Sequence, residues 1–226
     1  MRKTLLATAV LAAAVATPAV QAHEAGDIIV RAGAIHLSTN ESSSKIKVAG
    51  VKQPGTKATL NNDTQLGLNF AYMVTDNIGI ELLAATPFKH DVHVKGTGIN
   101  FVDGKLGSLK HLPPTLSAVY YPLDSKSSFQ PYIGAGINYT WFFDEKLSSS
   151  AKNSALAANS FKVKNSWGLA AQVGADYMLT DNLMINGQVR YIDIDTDATL
   201  NTVAGRTKVN VDVKPWVYMV GLGYKF

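Results

Sequence analysis

The chain contains no cysteine, which removes a disulfide framework and every thiolate-based metal or catalytic site. Beyond its amino-terminal leader it also lacks a run of about 18 apolar residues, so no helix in that part can cross a bilayer. Charge is sparse, 17% of residues, and the formal net charge is only +4. Two of those positives, Arg2 and Lys3, sit in the leader, and what remains is too weak a field to hold a nucleic acid. No G-x-S-x-G string exists, and His90, His93 and His111 come with no nucleophile–base–acid spacing. His90-x-x-His93 brings no further clear metal ligands. No catalytic residue, metal site or cofactor is therefore assigned.

What is present begins with an export signal. Arg2 and Lys3 form a positive n-region, Leu5 to Val20 an Ala-rich apolar core, and Val20-Gln21-Ala22 a small-residue cleavage site. Residues 1–22 are thus expected to be a cleaved signal peptide and residues 23–226 a single domain. At the other end, Trp216 to Phe226 alternate strictly. Trp216, Tyr218, Val220, Leu222, Tyr224 and Phe226 fall on one face, and Val217, Met219, Gly221, Gly223 and Lys225 on the other. A uniformly large apolar face with aromatics at both ends suits lipid with interfacial girdles, while the small or polar face suits a narrow lumen.

The same period recurs through the chain. Alternating segments cover Asp27–Leu37, Asp63–Val74, Asn77–Phe88, Leu109–Tyr121, Phe129–Phe143, Phe161–Leu179, Leu183–Ile194 and Thr207–Phe226. That pattern predicts an all-β fold, an eight-stranded antiparallel transmembrane β-barrel. Tight turns are expected at Thr75-Asp76-Asn77 and Thr180-Asp181-Asn182, with a third short connection around Leu123–Ser128. Long polar stretches alternate with them at Ser38–Asn62, Lys89–Ser108, Asp144–Ser160 and Ala198–Arg206. Short turns on the periplasmic side and long loops outside place both termini in the periplasm. The Ala/Ser-rich part of the third loop, Glu145–Ala158, is a candidate short helix.

Assigning the large apolar phase to lipid points the other phase inward. Near the periplasmic end it holds Arg31, Glu81 and Asp176, each four or five residues from its strand's lower end. Charges of both signs at one depth can pair and close a lumen this narrow. Such a group reads equally as a plug or as a structural network. Higher up, the outward phase turns polar at Asp193, Asp195 and Asp197, and at Asn210, Asp212 and Lys214. The inward phase there turns apolar through Ile192 and Ile194, through Val209, Val211 and Val213, and through Ile35 and Leu37. A tube projecting above the membrane with an apolar inner wall has this pattern, and so does a bulge at Tyr191 or Pro215 that resets the phase. Lys162, Lys164, His93 and Lys95 break the rule, since continuous phasing turns them inward.

Prolines mark a third feature. Pro87 ends the third segment, and Pro113 and Pro114 open its hairpin partner. Proline cannot donate to a ladder, and a closed barrel has no edge on which to hide it. These three residues are candidates for a weak place in the wall, a lateral gate, or for simple strand termination above the membrane.

Several strings resemble the OmpW family of outer-membrane proteins. They are His23–Asp27 (HEAGD), Thr75–Phe88 (TDNIGIELLAATPF), His111–Leu116 (HLPPTL) and Pro131–Phe143 (PYIGAGINYTWFF). Ser166–Tyr177 (SWGLAAQVGADY), Tyr191–Thr196 (YIDIDT) and Pro215–Phe226 match as well. The resemblance implies a barrel in the outer membrane of a Gram-negative bacterium, with a hydrophobic, dead-ended channel that passes small, mostly apolar molecules and releases them sideways. It implies that Leu83 lines the channel. Arg190 departs from the aromatic that the resemblance leads one to expect, which makes room for amphipathic cargo. The carboxy-terminal strand ending in Phe226 resembles the signal read by the outer-membrane assembly machinery. The expected partners are outer-membrane lipid, that machinery and small apolar or amphipathic solutes. The competing reading is a non-transporting barrel that serves as a receptor or structural surface protein.

Overall fold

The computed structural model describes residues 22–39, 41–43, 47–48, 51–52, 55, 57–95, 103–153, 157–203 and 205–226, and among them all side chains but those of 41–43, 47–48, 51–52, 57–58, 207 and 209–212. The expected signal peptide lies outside the described residues except for Ala22. Eight strands form the barrel: β1 (Ile28–Ser38), β2 (Asp63–Met73), β3 (Ile78–Ala85), β4 (Thr115–Tyr120), β5 (Phe129–Leu147), β6 (Ser166–Met178), β7 (Leu183–Ile192) and β8 (Trp216–Lys225). Each pairs antiparallel with its neighbours in chain order. The circle closes where β8 returns to β1, from Ile29↔Lys225 to Ser38↔Trp216. At its lower end Phe226 N–H donates to the Ile28 carbonyl at 2.9 Å. Closure leaves no sheet edge, the condition for crossing hydrocarbon with strands.

Alternation decides which side faces what. Outward side chains such as Ile80, Leu82, Ile133, Val173, Ile185, Val220 and Leu222 are exposed, and their inward neighbours are buried. A soluble monomer does not expose so much contiguous apolar surface. Here it is the lipid belt, rimmed below by Tyr224 and Phe226, whose rings meet edge-to-face, and above by the pairs Tyr139–Trp167 and Tyr191–Trp216.

The lower turns owe their tightness to one repeated device. In Thr75-Asp76-Asn77 the Thr75 hydroxyl accepts from Asn77 N–H and Ile78 N–H, and in Thr180-Asp181-Asn182 the Thr180 hydroxyl accepts from Asn182 N–H and Leu183 N–H. Each Asn then donates from its side chain to the neighbouring connection, Asn77 to the Tyr121 carbonyl and Asn182 to the Lys225 carbonyl. The two turns with the same sequence therefore do the same work a half-barrel apart.

Above the upper girdle the structure departs from a set of simple loops. Much of the predicted second loop is a hairpin, Phe88–Lys95 with Gly104–Leu112, and the latter strand also pairs with the top of β5. The predicted fourth segment is accordingly two strands, Gly104–Leu112 and β4, broken at Pro113-Pro114. A second hairpin joins Ile194–Thr202 to Gly205–Val213, flanked by Ser160–Val163. The expected short helix is present as α1 (Ser149–Asn153). Among the described residues only β5, at 19 residues, runs unbroken from the floor into this upper region.

Gly33 is paired with both Gly67 and Gly221, and the strands approach closely there. A Cβ on Gly33 would lie 2.1 Å from the Val220 carbonyl oxygen, inside the seam that closes the barrel. Gly33→Val is expected to block closure, since overpacking of this kind costs about 1–3 kcal/mol even where the chain can yield. The check is gel mobility before and after heating. The variant should lose the heat-sensitive folded band that the wild-type barrel gives.

Candidate functional site

The lumen has two levels of different chemistry. At the bottom, Arg31 from β1 meets Asp176 from β6 in a two-pronged pair: Nε–H donates to Oδ1 at 3.0 Å and Nη2–H to Oδ2 at 2.5 Å. Arg31 also donates to Asn69 Oδ1 (3.2 Å) and Tyr121 Oη (2.9 Å), and its guanidinium lies 5.6 Å from the centre of the Tyr132 ring. Gly174 makes room for that ring, because a Cβ there would sit 2.5 Å from Tyr132 atoms. Asn186 Nδ2 donates to Asp176 Oδ1 at 2.8 Å. His23, from the segment that folds beneath the barrel, places Nε2 3.2 Å from Asp176 Oδ2 and packs edge-on against Tyr121.

Glu81 from β3 links this level to the next. Its carboxylate lies 3.6 Å from Arg31 Nη1 and accepts from Arg190 Nη2 at 2.5 Å, while Gln172 donates to it at 2.9 Å. Gln172 Oε1 in turn accepts from Arg190. Two guanidinium groups and two carboxylates, each at most 1% exposed, thus share one cross-section. Their formal charges cancel, which is what makes their burial tolerable.

Arg31, Glu81 and Asp176 were legible as inward charges at one depth, and the structure brings the three into contact. It also puts Arg190 with them, at the top of the floor, where the sequence reading had it as a channel-lining residue near that floor. Gln172, Asn69, Asn186, Tyr121, Tyr132 and His23 escaped that reading. For the inward amides and Tyr132 the signal was available, a polar phase opposite a lipid-facing one. For His23 there was none, because it lies outside any strand.

Above the floor most of the inner wall is apolar, with Thr115, Asn138 and Thr140 as a hydrogen-bonded polar group on β4 and β5. Ile35, Leu37, Leu83, Ile192, Ile194 and Val213 are buried in one cluster with Phe88, Val217 and Met219. The side chains of Val209 and Val211 lie outside the described residues. The register carries straight through from Tyr191↔Trp216 to Ile194↔Val213, so no bulge intervenes at Tyr191 or Pro215. The phase does reset in two other places, at Thr86-Pro87 and at Lys164-Asn165. Phe88, Val92, Val94 and Phe161 turn inward as a result, while Lys95, Lys162 and Lys164 are exposed and His93 is half-exposed on the outer face. The expectation that these four polar residues point inward was wrong, because it continued one phase across a break. A cavity of about 20 Å³, lined by Leu37, Leu60, Leu109, Ile194 and Val213 among others, has room for about one water.

The three prolines face one another across an interruption in the wall. β3 pairs with β4 as far as Leu83↔Thr115, and pairing resumes only at Phe88↔His111. Residues 84–87 and 112–114 lie between, without ladder pairs to each other. The carbonyls on the proline side turn away: Asn138 Nδ2 donates to those of Pro113 and Pro114, and Tyr139 N–H donates to that of Pro114. Thr86 N–H likewise turns to the Leu66 carbonyl on β2. Each strand is satisfied by its other neighbour.

The hairpin above the girdle carries Lys89, Asp91, Lys105 and Lys110 on its outer side, so it stands in water and not in lipid. Its inner side holds His90 and His111. Burial pushes His90 below its ordinary pKa, and pushes His111 well below, with the neighbouring ring adding to the effect.

The OmpW family model matches residues 24–226. Outer membrane protein W of Vibrio cholerae is 45% identical over 226 residues, the full length of both chains. Outer membrane protein AlkL of Ectopseudomonas oleovorans is 31% identical over 205 residues, 89% of this chain and 83% of that protein. The crystal structure of the outer membrane protein OprG from Pseudomonas aeruginosa superposes with a TM-score of 0.87 at 53% identity, covering 92% of this chain and 99% of that one.

Two outcomes follow from these charges. Asp176→Asn should destabilise the barrel by about 3–5 kcal/mol, because it strands the buried Arg31, whereas Arg31→Met with Asp176→Leu should recover most of that. Urea unfolding in lipid vesicles, followed by tryptophan fluorescence, measures both. Second, the histidines are neutral in the fold but take up protons when it opens, so their contribution is full above about pH 6.5 and falls as the pH drops below it. Protection factors of the amides in Phe88–Lys95, with the intrinsic pH dependence of exchange divided out, should therefore fall between pH 8 and pH 5, against the restraint of the nearby Asp63 and Asp91. His111→Phe should flatten that dependence.

Proposed function

The chain belongs to the OmpW family and resides in the outer membrane, and from that premise we propose that it passes small apolar or amphipathic molecules inward from the cell surface. The observation that carries this reading is the inner wall above the membrane. There the barrel is polar outside and apolar within, through Leu37, Ile194, Val213, Phe88 and Val92. An anchor standing in water gains nothing from lining a tube with apolar side chains, whereas a solute leaving water does.

The floor sets the direction of release. A solute continuing downward must part the Arg31–Asp176 and Glu81–Arg190 pairs, each worth about 3–5 kcal/mol when one partner is left uncompensated. A solute turning sideways at the interruption between Leu83↔Thr115 and Phe88↔His111 breaks no ladder bond and enters hydrocarbon. We therefore assign the lateral gate to Pro87, Pro113 and Pro114, the plug to Arg31, Glu81 and Asp176, and the channel wall to Ile35, Leu37, Leu83, Ile192, Ile194 and Val213 with Val209 and Val211. Arg190 belongs to the top of the plug, where its buried Nε and Nη1 have no partner among the described residues and favour solutes that carry an acceptor. The carboxy-terminal strand, ending in Phe226, is proposed as the element read by the assembly machinery, and residues 1–22 as the export signal.

The closed packing of the lumen favours a second reading, a receptor or structural barrel. A cavity of about 20 Å³ admits no organic solute until the upper hairpins or Phe142 move aside. Uptake decides between the two. Vesicles with lipopolysaccharide in the outer leaflet should take up toluene several-fold faster with the protein than without it. Replacing Pro87, Pro113 and Pro114 with valine restores three ladder donors and should return uptake toward the protein-free rate while the folded gel band persists. No acceleration by the wild type would favour the receptor reading. Unchanged uptake in the triple variant would remove the lateral gate and leave the channel.

A further inference from the structure

Within the largely apolar upper lumen one polar level is built from aromatic rings. His90 and His111 face inward from the two strands of the Phe88–Lys95 hairpin and are 2% and 4% exposed. Their rings stack, with centroids 4.8 Å apart and planes 18° from parallel. Phe88 extends the stack beyond His111 at 5.4 Å, and Phe142 leans against it at 5.6 Å. As packing elements alone, phenylalanines would serve as well.

Above the floor, the buried side-chain nitrogens without a hydrogen-bond partner among the described residues belong to these two rings. His90 Nδ1 lies 2.6 Å from the carbonyl oxygen of Asn61. A carbonyl can only accept, so Nδ1 carries the proton and Nε2 presents a bare lone pair. That Nε2 and both ring nitrogens of His111 are buried without a partner among the described residues. Buried polar groups of folded proteins are rarely left so, and three together call for an occupant. The two rings line the cavity of about 20 Å³, which is the size of one water.

The chemistry of that occupant is narrowly defined. With both rings neutral, His90 offers one acceptor and His111 one donor and one acceptor. A carboxylate accepts only and would face two lone pairs with its own. An alkane would leave all three nitrogens as they are. A metal ion finds no group of three candidate ligands among the described residues. A hydroxyl matches in size, gives one hydrogen and receives another. Around it, Leu37, Leu60, Phe142, Ile194 and Val213 supply an apolar surface for the rest of a molecule.

We propose that His90 and His111 form a recognition subsite for the hydroxyl of a small aliphatic or aromatic alcohol, whose apolar remainder lies along the lumen wall. The subsite rests on the uptake reading and names a solute class for it. Alcohols are held at this level on the way in, and hydrocarbons of the same shape pass without a polar contact.

Benzyl alcohol and toluene, which differ by that one hydroxyl, test it on the full-length protein in lipid nanodiscs with ¹⁵N-labelled histidine. Saturating benzyl alcohol should shift the ring nitrogen resonances of His111 and the Nε2 resonance of His90, and toluene should leave them in place. His90→Phe and His111→Phe should each weaken benzyl alcohol on the order of tenfold while changing toluene affinity less than twofold. Equal shifts with both probes, or a preference that survives both substitutions, would overturn the subsite and leave the pair holding water. If a variant does not fold, the wild-type resonances decide alone. Toluene uptake without an alcohol preference removes only the subsite. Failure of both probes to bind or to enter removes the subsite and the channel together.

Discussion

Hydrocarbon offers no partner to a backbone N–H or C=O, and each one left unpaired there costs several kcal/mol. Most of what is distinctive in this chain follows from that constraint. The constraint forces strands to close on themselves, so β8 must come home to β1, and three glycines thin the wall where Gly33 meets Gly67 and Gly221. Closure with eight strands leaves a bore that side chains can fill. Pairing on both edges makes the period-two alternation obligatory, with every second residue given to lipid. The interruption between β3 and β4 is tolerated because its carbonyls and amides are satisfied on the far side of each strand, through Asn138, Tyr139 and Leu66.

A narrow bore makes the floor an electrostatic problem with few solutions. Four ionised groups within one cross-section can be buried only if they neutralise each other and their remaining donors find acceptors. Arg31 achieves this fully, through Asp176, Asn69 and Tyr121. Arg190 achieves it only in part, through Glu81 and Gln172. The difference matches their positions. Arg31 is enclosed by polar and aromatic side chains, and Arg190 forms the boundary with the apolar wall above. Polar floor, apolar shaft and one imidazole level higher up divide the lumen into zones that a solute meets in reverse order.

The fold was almost wholly readable before any coordinates, and so were three of the four floor charges. Tyr218, Val220 and Leu222 alternate with Val217, Met219 and Gly221 because the pleat itself alternates, and no tertiary contact is needed to see it. The expected strand at Leu109–Tyr121 was wrong in one respect, since Pro113-Pro114 divides it and the residues before them belong to a hairpin standing in water. Lys162 and Lys164 were misplaced because the phase breaks at Lys164-Asn165. A phase is a local quantity, and a single extra residue inverts it without leaving a mark on composition. His23 was invisible because its position depends on a turn beneath the barrel and not on any strand.

Sequence alone determined that this chain crosses a membrane with strands, how many it uses, which face meets lipid and which end bears the short turns. These properties depend on the order of residues along one strand. The tertiary structure alone decided that Arg190 pairs with Glu81, that the wall is unpaired between Leu83 and Phe88, and that His90 stacks on His111 around nitrogens with no partner. Each of those depends on register between segments far apart in the chain. Register is fixed by where loops and phase breaks fall, so it becomes visible only when the barrel has closed.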